Sequence, residues 1–261
     1  MLVDIGLNLS SSRFDKDRDA VVQRAVAAGV NRLLLTGTSL NESRTVADYA
    51  EHYAPFCYAT AGVHPHEASS LDAEGLAALA GLLAQPRVVA VGETGLDFNR
   101  NFSPPEAQEQ AFEAQIGLAA STGLPLFLHE RDAASRMLAM LRAHRDSWSA
   151  GVIHCFTGDR TTLHAYLDLG LHIGITGWVC DERRGLELQE LVKEIPAERL
   201  LLETDAPYLL PRSLPKPPKD KRNEPQFLGH IAEVVAGLRM IEKEELVRIT
   251  SENAQRLFSW E

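Results

Sequence analysis

Eight short apolar runs, each followed by a stretch with helical spacing, recur along this chain, and that rhythm constrains its fold more than any other feature. The strand-like runs are residues 2–5, 30–36, 56–63, 87–93, 124–129, 151–154, 172–176 and 200–203. Helix patterns occupy 15–28, 41–51, 71–84, 105–120, 133–144, 160–169 and 185–193, and 226–237 and 243–257 close the chain. Gly29, Gly123 and Gly170 stand just past three helix ends, Pro105 opens one helix, and Asn41 is placed to cap another. Such alternation builds a parallel sheet, and eight repeats predict a (β/α)8 TIM barrel, read as one domain over residues 1–261. Residues 207–225, rich in proline and carrying Arg212, Lys216, Lys219, Lys221 and Arg222, read as a long loop.

The ends of four runs carry the chemistry. Val88-Val89-Ala90-Val91 makes a strand apolar on both faces, then meets Gly92 and Glu93. A buried carboxylate there needs a partner, because isolated charge in an apolar interior is very costly. Partners of the right kind end three other runs: His129, His154 and, after Glu203 and Thr204, Asp205. In a parallel barrel the C-terminal strand ends share one face, where active sites lie. Glu93, His129, His154 and Asp205 together form a mixed nitrogen and oxygen donor set suited to a catalytic divalent metal. Each residue alone has an ordinary structural explanation, as a helix cap or a satisfied core histidine; their common edge favours a shared site.

Other residues fall on the same edge. His64 is read as a group that orients substrate or moves a proton, and His66 as a substrate contact; the alternative is a rigid loop with exposed histidines. Arg131, beside Asp132, either binds phosphate or forms a local ion pair. Trp178, Phe98 and Tyr208 are placed to stack on bases or to pack their own loops. Arg212 and Arg222 follow Asp205 and suit a phosphate backbone, against the default of a solvated loop.

The formal net charge of −10 argues against indiscriminate binding to nucleic acid or anionic membrane, although bound cations can reverse the field at one site. No apolar run approaches the roughly 20 residues of a membrane-crossing helix. The N-terminus shows no secretory pattern, and Cys57, Cys155 and Cys180 are widely spaced and odd in number, so a cytoplasmic location is expected. Nothing points to a membrane or an obligate protein partner.

The motifs Ala61-Gly62-Val63-His64-Pro65-His66, Gly92-Glu93-Thr94-Gly95-Leu96-Asp97-Phe98, Leu128-His129 with Arg131-Asp132, Ile153-His154-Cys155-Phe156-Thr157-Gly158, and Leu202-Glu203-Thr204-Asp205-Ala206-Pro207-Tyr208-Leu209 resemble those of the TatD family of metal-dependent hydrolases. Asn223-Glu224-Pro225 follows in the expected place, and the likeness spans essentially the whole chain. The resemblance implies a TIM barrel, dependence on a divalent metal and nuclease activity that removes nucleotides from the 3′ ends of DNA or RNA. It also implies Glu93, His129 and His154 as metal ligands, and Asp205 as a ligand or as the base that deprotonates water. Many members begin Asp-x-His-x-His, whereas this chain has Gly6 and Asn8 at those two histidine positions. A second ion shared by Asp205 is therefore expected to bind weakly, or only with substrate phosphate.

The reading is thus a Mg²⁺-dependent 3′→5′ exonuclease on single-stranded DNA and possibly RNA, with Mn²⁺ or Zn²⁺ as other candidate ions. Its catalytic groups are Asp205 and His64, and its substrate contacts are His66, Arg131, Arg212 and Arg222. The main rival is a metal-dependent hydrolase of the ester linking an amino acid to tRNA, because the same metal chemistry serves both bonds. A non-enzymatic scaffold is a weaker rival, since it would not need four polar residues at buried strand ends.

Overall fold

Strand and helix alternate through the chain as the apolar rhythm requires. The structure, a computed structural model, describes residues 1–260. The strands are β1 (Leu2–Leu7), β2 (Val30–Leu35), β3 (Cys57–Ala61), β4 (Val88–Asp97), β5 (Leu126–Arg131), β6 (Gly151–Ile153), β7 (His172–Ile175) and β8 (Leu200–Leu202). They form one eight-stranded sheet in sequence order, each parallel to the next. A parallel bridge between Leu7 and Ala206, with Asp205 N donating to Gly6 O at 2.8 Å, links β8 back to β1. The expected (β/α)8 barrel is present.

Helices α1 (Arg18–Ala27), α2 (Leu40–His52), α3 (Ala73–Leu83), α4 (Pro105–Thr122), α5 (Ala134–Ala143), α6 (Arg160–Asp168), α7 (Leu186–Leu191), α8 (Leu228–Arg239) and α9 (Lys243–Phe258) surround it. Short oxygen-bearing side chains start several of them: Ser39 accepts from Glu42 N, Asp72 from Gly75 N and Asp159 from Thr162 N. The cap of α2 is therefore Ser39 rather than Asn41, because the helix begins one residue earlier than its apolar spacing implies. Pro105 opens α4 and Gly123 closes it in the left-handed region, as expected.

Successive strand residues face opposite ways. Leu33 and Leu35, Leu126 and Leu128, and Leu200 and Leu202 pack outward against the helices in the main core. Val3, Ile5, Leu34, Tyr58, Val89, Phe127, Val152 and Leu201 form a second cluster inside the barrel. At the end of α9, Ser259 turns through φ 49° and Trp260 joins that interior cluster, its ring 5.1 Å from Tyr58 and 4.9 Å from Phe258. Phe258 and Trp260 thus plug the floor, the end where the strands begin. No regular element lies between Leu202 and Pro225, in accord with the expected long loop. Among the described residues, no helix is long and apolar enough to cross a membrane.

Candidate active site

The same alternation that fills the barrel delivers its functional groups. Two residues beyond inward-facing Phe127, Val152 and Leu201 stand His129, His154 and Glu203. Glu93 arrives differently. The ladder between β4 and β5 shifts register between Val91 and Thr94, and such a bulge re-aims a side chain. Gly92 sits there at φ 149°, where a Cβ would lie 2.2 Å from Phe127 O, so only glycine fits. Beyond the bulge, Thr94 to Asp97 pair with Leu128 to Arg131. Glu93 and His129 therefore lie within strands that continue past them, not at the strand ends the sequence pattern marks.

Three imidazoles meet one oxygen of Glu93. Its Oε1 is 2.9 Å from His129 Nδ1, 3.1 Å from His154 Nε2 and 3.4 Å from His64 Nε2. Donor atoms of His64, Glu93 and His129 all lie within 4.8 Å of one another, and His154 approaches the same carboxylate. Asp205 faces the same cleft, its Oδ1 accepting from Asn8 Nδ2 at 2.8 Å. Two further carboxylates stand behind the rings. Asp97 Oδ2 is 2.8 Å from His66 Nε2 and 3.5 Å from His129 Nε2, the latter an ionic contact without a formed hydrogen bond. Glu203 Oε2 is 3.0 Å from His154 Nδ1.

The electrostatics call for positive charge. Burial opposes ionisation of Glu93, yet His154, His64 and His129 hold its carboxyl well below the usual range. Burial also opposes a charged His154, but Glu93 and Glu203 raise it well above an ordinary histidine. His129 is raised by Asp97 and Glu93 against its own burial. In His64, burial wins and lowers the ring to about 3, leaving it neutral. Burial, with Glu203 and Glu93, pushes Asp205 up to about 7 despite His154. Protons on His129 and His154 thus balance Glu93, and a divalent cation would displace those protons as it bound. The donor set and its charge fit a divalent metal.

The cleft around this cluster measures about 910 Å³ and is lined by strands β4 and β5 and by the loops that follow the other six strands. Its walls include Ser10, Ser11, Ser12, Thr38, Glu42, His66, Glu67, Glu130, Arg131, Thr157, Trp178 and Tyr208. A TatD-related DNase family model matches residues 3–259. This chain belongs to that family.

A protein of Citrobacter rodentium named 3'-5' ssDNA/RNA exonuclease TatD is 55% identical over 98% of this chain and 97% of its own length. A Klebsiella pneumoniae protein of the same name is 56% identical over 98% and 97% of the two chains. Among solved structures, YJJV, a TatD homologue from Escherichia coli K12, superposes with a TM-score of 0.90 at 28% identity, covering 99% of this chain and 98% of that one. A TatD family hydrolase from Entamoeba histolytica gives 0.89 at 28% identity, over 98% and 97%.

Within this TatD-related fold, Glu93, His129, His154, His64, His66, Asp205 and Arg131 share the cleft. Arg212 and Arg222 do not line it. Arg212 pairs with Glu182 at 2.9 Å, while Arg222 bonds Asp17 and Glu224, each at 2.7 Å, and also donates to Arg13 O. Arg24 reaches the same Glu224, so the long loop is tied to α1. Trp178 and Tyr208 stand on the cleft wall, whereas Phe98 packs against the main core. Asp132 accepts from Asn99 instead of pairing with Arg131. Sequence reasoning missed the contacts of Glu203 and Asp97. For Glu203 the signal was available: counting inward by twos from Leu201 reaches it before Asp205.

Proposed function

We propose that this chain is a divalent-metal-dependent 3′→5′ exonuclease acting on single-stranded DNA and RNA. One observation carries the chemistry: three imidazoles converge on a single buried carboxylate at the open end of a TatD-related barrel. The substrate class comes from relatives above half identity that bear the name 3'-5' ssDNA/RNA exonuclease. Glu93, His129 and His154 would hold the ion, with His64 within reach of it. When bound, a divalent ion supplies acidified water and positive charge against developing phosphoryl oxygens. Mg²⁺ is the proposed ion; Mn²⁺ and Zn²⁺ also suit imidazole and carboxylate ligands.

The chain's own residues divide the remaining tasks. Asp205, which faces the cleft beside Glu93 and His154, is the group proposed to take a proton from water. Asn8 fixes one of its oxygens. His66, held by Asp97, and Arg131 are the proposed contacts to the strand. Five carboxylates line the cleft, Glu42, Glu67, Glu93, Glu130 and Asp205, against one arginine. A polyanion meets repulsion there until a cation reverses the field, so metal governs substrate binding as well as reaction. The basic loop carries less of that task, because Arg212 and Arg222 are occupied by acids of this chain. Three unpaired cysteines accord with a reducing cytoplasm as the proposed compartment.

A side-by-side assay tests the reading. Single-stranded DNA labelled at either end, RNA and aminoacyl-tRNA are incubated with protein and Mg²⁺, with and without chelator. Stepwise loss from the 3′ end, absent with chelator and in Glu93→Ala and His154→Ala, is expected. Folded variants that degrade DNA as fast as wild type would refute it. Release of the amino acid without phosphodiester cleavage would move the assignment to the ester.

A further inference from the structure

Glu203 is an acid with no solvent exposure that does not line the cleft, so it touches no substrate. Burying a carboxylate is unfavourable unless it is matched by hydrogen bonds and opposite charge. Its two oxygens divide between consecutive residues of the loop after β6. Oε2 lies 3.0 Å from His154 Nδ1, and Oε1 accepts the backbone N–H of Cys155. Cys155 adopts φ 47°, a left-handed conformation that a residue with a Cβ disfavours, and its N–H is satisfied by this carboxylate.

The strands on either side of β8 make room for that side chain. Gly6 on β1 and Gly174 on β7 face it from opposite flanks. A Cβ at Gly6 would lie 2.2 Å from Glu203 Oε2, and one at Gly174 would lie 2.4 Å from Oε1. Both distances are below any tolerable contact, so neither position accepts a side chain while Glu203 keeps its place. A neutral amide would satisfy only one of the two donors it meets. A carboxylate satisfies both, and it turns the His154 ring so that Nε2 faces Glu93 at 3.1 Å.

We infer that Glu203, seated in a notch formed by Gly6 and Gly174, is the positioning residue that presents His154 Nε2 to the metal. The inference rests on the proposed metal site and names a residue of its support. A carboxylate behind a ligating histidine fixes the ring's tautomer and orientation, and its loss typically weakens metal binding 10–100-fold. Gly6 and Gly174 act through Glu203, not on the metal itself.

The test uses the full chain and Mn²⁺ as the probe, with affinity read by titration calorimetry. Glu203→Ala is expected to weaken Mn²⁺ binding by about 10–100-fold. Isosteric Glu203→Gln, which keeps one acceptor, falls between it and wild type. On a labelled oligonucleotide at saturating metal, kcat drops while KM holds, because Glu203 never meets the strand. Gly6→Ala weakens Mn²⁺ binding in the wild-type background and has no further effect on affinity in Glu203→Ala, where its methyl group has room. Wild-type Mn²⁺ affinity in both Glu203 variants would overturn the inference, as would additive effects of Gly6→Ala and Glu203→Ala. Affinity and the double-mutant cycle need no nuclease activity. A wild-type protein that binds Mn²⁺ but cleaves no nucleic acid would therefore sink the proposed function and leave this inference standing or falling separately.

Discussion

The two ends of this barrel use the same eight strands for opposite purposes. At the floor, the inward positions are Val3, Tyr58, Val89, Phe127, Val152 and Leu201, sealed by Phe258 and Trp260. One step along the same strands, inward positions become His129, His154 and Glu203, and the centre holds charge instead of carbon. The floor gains free energy from area removed from water, roughly 25 cal/mol per Å². The mouth gains none that way, because it buries Glu93, Asp97 and Glu203, and half-buries Asp205, at a desolvation cost that only partners offset. Stability and chemistry are thus separated along the barrel axis, within reach of the same strands.

The strongest way to break that separation is to disarm the mouth. Glu93→Ala or His129→Ala is expected to lower kcat/KM by about 10³-fold or more, roughly 4 kcal/mol at the transition state. In Glu93→Ala the thermal midpoint should hold or rise, since a carboxylate buried at a desolvation cost has been removed and its histidines are free to lose their protons. A large drop in the midpoint alongside activity would mean the mouth also carries the fold. The converse variant attacks the floor. Trp260→Ala, which empties a site only 3% exposed, should cost about 3–4 kcal/mol and lower the midpoint by roughly 10 °C. Its kcat/KM at 25 °C should match wild type.

The floor also has a pH signature. His172, at the start of β7, is lowered from an ordinary 6.5 to about 4 by burial and then by Arg199. Above pH 6.5 the ring is neutral folded or unfolded and adds no pH dependence. As pH falls from 6.5 to 4, the unfolded chain takes up the proton and the folded chain does not. Stability therefore falls across that window, by about 3 kcal/mol when complete. Denaturant titrations from pH 7 to pH 4 should show this slope in wild type and lose it in His172→Gln.

The smallest expected effect sharpens the boundary between the two regions. Arg222→Ala cuts the tie to Asp17 and Glu224 and should cost about 1–2 kcal/mol, with KM for the oligonucleotide unchanged. A raised KM in a stable variant would return Arg222 to the substrate and extend the mouth over the loop.

Much of this arrangement was legible in the residues, for reasons that also explain the gaps. Apolar runs alternating with helical spacing determine the barrel, because each strand must be covered by the helix that follows it. The extension of β4 to Asp97 was not legible, because Thr94 to Asp97 owe their strand conformation to pairing with Leu128 to Arg131, which are distant in sequence. Glu93, His129, His154 and Asp205 could be found because a parallel barrel gathers its C-terminal edge. Glu203 stayed hidden because a carboxylate one turn of the pleat below Asp205 reads as the same acidic strand end. Only the space beside Gly6 and Gly174 distinguishes them. The positive charge of Arg212 and Arg222 was plain, but their acidic partners lie elsewhere in the chain.

The most direct measurement is an anomalous difference map from crystals of the full chain soaked in Mn²⁺. The account predicts a peak within ligand distance of Glu93, His129 and His154 in wild type, lost in Glu93→Ala. A map with no peak at that cluster, from an enzyme that still removes nucleotides from the 3′ end, would contradict it.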